Sequence, residues 1–95
     1  MELSFGGSVY EWRGPAPHHF VDVPEDESAA IRATAALTSY GWGCIPLSAR
    51  VGGTGFTTAL IPRGERYALP LKVAVRRAEE IGVGDRVEVV LHVDV

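Results

Sequence analysis

The clearest pattern along the chain lies between Tyr67 and Val95, where the spacing of apolar residues changes from helical to extended within a few positions. Leu71, Ala74, Val75, Ala78 and Ile81 fall on one face of a helix, and Lys72, Arg76, Arg77, Glu79 and Glu80 occupy the rest of its circumference. Such a stripe predicts a helix lying on a core. Gly82, just past the last apolar position, is placed to close that helix in a left-handed conformation, and Gly84-Asp85 then turns the chain. Val87, Val89, Leu91, Val93 and Val95 alternate with Arg86, Glu88, His92 and Asp94, the two-residue period of a strand with one buried face.

From the start, Leu3, Phe5 and Val9 set against Glu2, Ser4, Ser8 and Glu11 predict a first strand, with Gly6-Gly7 marking a bulge. Trp12 to Pro17 is rich in Pro and Gly and predicts a connection, after which His19 to Val23 returns as a short strand to form a hairpin. Pro24 opens a helix whose first turn holds Glu25, Asp26 and Glu27, the sign favoured by the positive end of the helix dipole. The helix is expected to reach about Ser39, with Ala30, Ile31, Thr34 and Leu37 facing inward and Gly41 ending it. Ile45, Leu47, Ala49 and Val51 predict a third strand, and Gly52 to Gly55 a turn. A fourth strand covers Phe56 to Ile61, broken by Pro62-Arg63-Gly64-Glu65, and Tyr67 to Leu69 adds a brief extended segment. The set reads as a single domain over residues 1–95, mainly β with two helices. Its simplest packing is a small, partly closed barrel capped by helices.

Composition narrows the function classes. Nine basic against twelve acidic residues give a net charge of −3, so no overall positive field attracts nucleic acid or anionic lipid, and any such contact needs a local patch. Cys44 is the only cysteine, which excludes an internal disulfide, and the first residues carry no export signal, so a cytoplasmic location is expected. No apolar run approaches the roughly 20 residues of a membrane-spanning helix, and no membrane partner is expected.

Three blocks of the chain, Gly41-Trp42-Gly43-Cys44-Ile45-Pro46-Leu47, Phe56 to Arg63, and Tyr67 to Lys72 with Val75-Arg76-Arg77-Ala78, occur in an order and spacing that resemble a bacterial family catalogued as domain of unknown function 1905. The resemblance covers nearly the whole chain, apart from Ser4 to Pro17. It implies a double-split β-barrel, similar in architecture to the swapped-hairpin DNA-binding domains of AbrB and of the antitoxin MazE. It implies no activity, because one fold hosts many unrelated sites.

The candidate chemistry gathers around Arg63, Tyr67, Lys72 and Arg76, with Trp42 as a neighbour. Lys72 falls in the first turn of the second predicted helix, where the dipole disfavours a cation, and Arg76 stands one turn above it. A bound anion would offset both penalties, held by free amide groups at the helix start and by the two side chains, with Arg63 approaching from the preceding loop. The plainer reading pairs Arg76 with Glu79 at the surface and leaves Lys72 solvated. Trp12, Trp42 and Tyr67 read either as rim packing or as walls of a shallow pocket for an anion attached to something flat.

Other motifs read as structure. Gly52-Gly53-Thr54-Gly55 lacks the Lys-Ser/Thr of a phosphate loop, and His18-His19 point to opposite faces of a strand, which disfavours a metal site with Asp22. Cys44 reads as a small core residue, and no catalytic triad signature is present. Neither catalytic residues nor a metal or other cofactor are assigned. The expectation is a non-enzymatic binding or interaction domain, monomeric or homodimeric, for a small anionic ligand or a peptide. The alternative is a DNA-binding regulator or antitoxin-like dimer similar to AbrB and MazE.

Overall fold

A computed structural model describes residues 1–13, 18–35 and 45–93. Among these residues, seven strands and two helices follow in the order β1 (Glu2–Ser8), β2 (Tyr10–Trp12), β3 (His18–Asp22), α1 (Glu25–Ala35), β4 (Ile45–Val51), β5 (Thr54–Arg63), β6 (Arg66–Leu71), α2 (Val73–Ala78) and β7 (Arg86–Val93). The strands make one curled, antiparallel, barrel-like sheet in the order β1-β7-β4-β5-β6-β3-β2. The mainly β character and the two helices agree with the sequence pattern.

The two ends of the sheet come from one stretch of chain. β1 pairs with β7 from Glu2↔His92 to Ser8↔Arg86, and β2 pairs with β3 from Tyr10↔Phe20 to Trp12↔His18. Val9, buried between them, donates its N–H to the Asp85 carbonyl at 2.9 Å and accepts from the Gly84 N–H at 2.8 Å. These bonds extend the β1–β7 pairing one step past Ser8, just before the chain passes to β2 and its partner β3. Gly7 allows β1 to approach β3, since a Cβ there would stand 2.8 Å from Val21 Cγ1. The expected bulge at Gly6-Gly7 is corrected: the β1–β7 register is continuous, and Gly7 is needed for contact with β3.

β4 and β7 supply the inner face most regularly. Ile45, Leu47, Ala49 and Val51 are buried and alternate with exposed Pro46, Ser48 and Arg50, while Val87, Val89, Leu91 and Val93 are buried along β7. Each large apolar side chain so removed from water contributes about 1.5–3 kcal/mol. The β4–β5 turn is shorter than expected, because only Gly52 and Gly53 lie outside the strands and Thr54-Gly55 already belong to β5. Pro62 and Arg63 also stay within β5. Among the described residues Pro62 pairs with β6 alone, through Tyr67, which leaves the missing donor on the other edge of the strand.

α1 docks through Ile31 and Ser28, both fully buried, whereas Ala30, expected inside, is exposed. Ser28 Oγ donates to the Val23 carbonyl at 3.0 Å and accepts from the Tyr67 N–H at 3.2 Å, which joins the helix to the end of β3 and to β6. Beyond Ala35 the expected helix, with Leu37, Ser39 and Gly41, lies outside the described residues, as do Trp42, Cys44 and the side chain of Thr34.

The second helix is much shorter than its apolar spacing predicts. Arg66 to Leu71 are spent on β6, leaving α2 only six residues, of which Val75 is buried and Val73 and Ala74 are exposed. Leu71 and Val75 coincide with helical spacing, yet Leu71 belongs to the buried parity of β6 with Tyr67 and Leu69. Glu80, at φ 53°, takes the left-handed position expected of Gly82. The Ile81 N–H bonds the Arg76 carbonyl at 2.8 Å and the Glu80 N–H the Arg77 carbonyl at 3.4 Å, the bond pair of a Schellman closure.

Candidate functional site

The sheet carries a second cluster on the face turned away from the core. Tyr10 pairs with Phe20 and Phe20 with Pro70, Asp22 pairs with Ala68 and Ala68 with Ile61, and Arg63 pairs with Arg66. Residues directly opposite one another share a face, so this row lies on one side of β2, β3, β6 and β5, while Val21, Tyr67 and Leu69 point into the core. Phe20 is buried on that outer side by the rings of Tyr10, Trp12 and His18, with centroids at 6.0, 6.3 and 6.1 Å.

Between these rings and the end of β5 runs a groove of about 480 Å³ lined by Tyr10, Glu11, Trp12, Arg13, Phe20, Ile61, Pro62, Arg63 and Ala68. Trp12 is 59% exposed, an unusual setting for the largest apolar side chain. The polar side of the groove is a relay. The Tyr10 hydroxyl donates to Asp22 Oδ1 at 2.5 Å and accepts from an Arg63 N–H at 2.5 Å, and the guanidinium carbon lies 4.8 Å from the Tyr10 ring centroid. Burial pushes the Tyr10 phenol up to about 12, reinforced by the hydrogen bond and the charge of Asp22 and opposed by Arg63. The phenol is therefore a neutral spacer at neutral pH. It separates a carboxylate from a guanidinium whose other N–H groups have no partner among the described residues.

Of the cluster expected from sequence, Lys72 and Arg76 stay one helical turn apart, while Arg63 and Tyr67 lie on opposite faces of the sheet. Arg63 lines the groove. Tyr67 is 7% exposed with its ring in the core, so it cannot wall a surface pocket. Lys72 is exposed at the N-cap of α2 and makes no side-chain capping bond. Arg76 is half-buried with its Nε unpartnered among the described residues, and Trp42 lies outside them. The plainer reading of Arg76 also changes: Glu79 accepts from Thr54 Oγ1 at 2.6 Å, and no Arg76–Glu79 ion pair forms.

Sequence reasoning missed Tyr10 and Phe20 and weighed Asp22 only as a metal partner of His18-His19. The available signal was parity: Phe20 and Asp22 alternate with the core residues Val21 and Val23, and a large ring on the solvent side of a strand calls for cover.

A family model matches residues 5–91, a span that includes every strand of the groove and both helices. The chain belongs to the family described as domain of unknown function (DUF1905). That DUF1905 description assigns no activity, so the chemistry rests on the residues themselves. No curated protein matches the chain. Among the described residues no helix is long and apolar enough to cross a membrane.

Proposed function

We propose that this DUF1905 domain is a non-enzymatic binding module whose outer-face groove takes a small, flat ligand bearing a negative charge. The observation that carries the reading is the pairing of Trp12, exposed beside buried Phe20, with Arg63, whose guanidinium is anchored by one bond to Tyr10. Ring faces accept a planar group, and an arginine fixed by its neighbour loses less freedom on meeting an anion. The volume falls within the roughly 300–1,000 Å³ typical of small-molecule sites.

Arg63 is the residue shared with the site expected at the second helix. The remainder of that site finds less support, since a helix of six residues has a weak dipole and Tyr67 faces inward. The double-split barrel of AbrB and MazE fits a sheet whose two ends are served by one N-terminal stretch, but a net charge of −3 gives the DNA-binding alternative no general field to work with.

Amide shifts in NMR during titration with aromatic carboxylates, nucleotides and short peptides test the proposal. Perturbation is expected at residues 10–13, 20, 61, 63 and 68. Shifts confined to residues 72–76 would place the site at α2 instead, and no shift with any ligand would refute a binding role for the groove.

A further inference from the structure

Arg63 and Arg66 stand directly opposite each other across the two-residue turn between β5 and β6. Both side chains are exposed, and among the described residues neither has a carboxylate within 4.0 Å. Like charges in that position weaken a sheet. The neighbourhood adds further positive charge. Arg32 of α1 donates to the Glu65 carbonyl within the same turn, and Arg13 lines the groove with Glu11 at 4.0 Å. Asp22 is engaged by Tyr10 and Glu11 by Arg13, and Glu65, in the turn itself, forms no ion pair with either arginine, so among the described residues the Arg63–Arg66 pair has no carboxylate in direct contact.

The pair discriminates between kinds of anion. A carboxylate carries one charge and is satisfied by one guanidinium fork. A phosphate monoester carries about −1.5 to −2 at neutral pH on three oxygens, and so matches two guanidinia side by side. The aromatic wall matches a base, because base stacking on aromatic side chains depends on area and not on a particular hydrogen-bond code. We infer that the groove recognises a nucleoside monophosphate, its base against Trp12 and its phosphate across Arg63 and Arg66. The inference rests on the proposed binding role of the groove and names its ligand class. Arg66 stands one cross-strand step beyond the groove lining, which places the phosphate at the open end near the β5–β6 turn.

Calorimetric titration of the full chain at low salt with adenosine 5′-monophosphate, adenosine, inorganic phosphate, benzoate and a single-stranded adenine oligonucleotide tests this, with amide shifts recorded in parallel. The monophosphate is expected to bind at the groove, with adenosine and phosphate alone each weaker. Trp12→Ala and Arg66→Gln are each expected to weaken the monophosphate about tenfold. Both side chains are exposed, and unchanged circular dichroism will show that the fold is kept. Benzoate binding as tightly as the monophosphate, with Arg66→Gln without effect, would overturn the ligand class while leaving the groove as a planar-anion site. An oligonucleotide bound far more tightly than the monophosphate would overturn it in favour of a nucleic-acid strand. Silence of the groove amides with every ligand would remove the binding role itself.

Discussion

The Tyr10 hydroxyl on β2 reaches diagonally to Asp22 on β3 and donates to its carboxylate at 2.5 Å, while Arg63 donates to the same hydroxyl from β5. The hairpin of β2 and β3 is thus joined at one oxygen to β5, which lies much later in the chain. The relay has a measurable signature, because the phenol is held at about 12 against an ordinary 10.0.

Tyrosinate absorbance should show one phenol titrating near 12 in the native protein, and Tyr10→Phe should abolish that step. Asp22→Asn removes a cause that raises the value and should lower it, whereas Arg63→Gln removes the opposing charge and should raise it further. For a group whose folded value is raised, the linked stability is fully present below the unfolded value of 10.0 and is lost as pH climbs through about 12. Between those limits, denaturant unfolding should weaken more steeply with pH in the native protein than in Tyr10→Phe.

Ser28 is the hinge of polar satisfaction between α1 and the sheet. Ser28→Ala would leave the Tyr67 N–H and one lone pair of the Val23 carbonyl without their buried partner. A loss of about 1–3 kcal/mol in denaturant unfolding is expected.

The two N-terminal glycines should respond differently to a methyl group. At Gly7 it would press on buried Val21 and cost about 1–3 kcal/mol by overpacking. At Gly6 it would meet the ends of the exposed Arg86 and Glu88 side chains, which can swing aside. Thermal unfolding of Gly6→Ala and Gly7→Ala should therefore place the larger loss at position 7.

Glu80 closes α2 in a left-handed conformation that favours glycine. Glu80→Gly should raise stability by about 0.5–1 kcal/mol, read as a higher denaturant midpoint with an unchanged slope.

β4 and β7 were legible because each has a single buried face and a strict two-residue period. α2 was overread for a physical reason: Leu71 satisfies both the helical spacing to Val75 and the strand parity with Tyr67 and Leu69, and sheet pairing with β3 decides between them. Ser28 was hidden because a buried polar residue has no signature until its partners are known. The groove was largely illegible, since Tyr10, Phe20, Ala68 and Arg63 become neighbours only through the register of four strands. Arg63 stood out by its charge, and Trp12 by its ring.

Occupancy of the groove is tested by intermolecular nuclear Overhauser contacts between the tightest-binding planar anion of the titration series and the protein. Contacts are expected from the ligand ring protons to the indole of Trp12, with none to Val73 or Ala74 at the exposed start of α2. Ring contacts to α2 with Trp12 untouched would contradict binding in the groove.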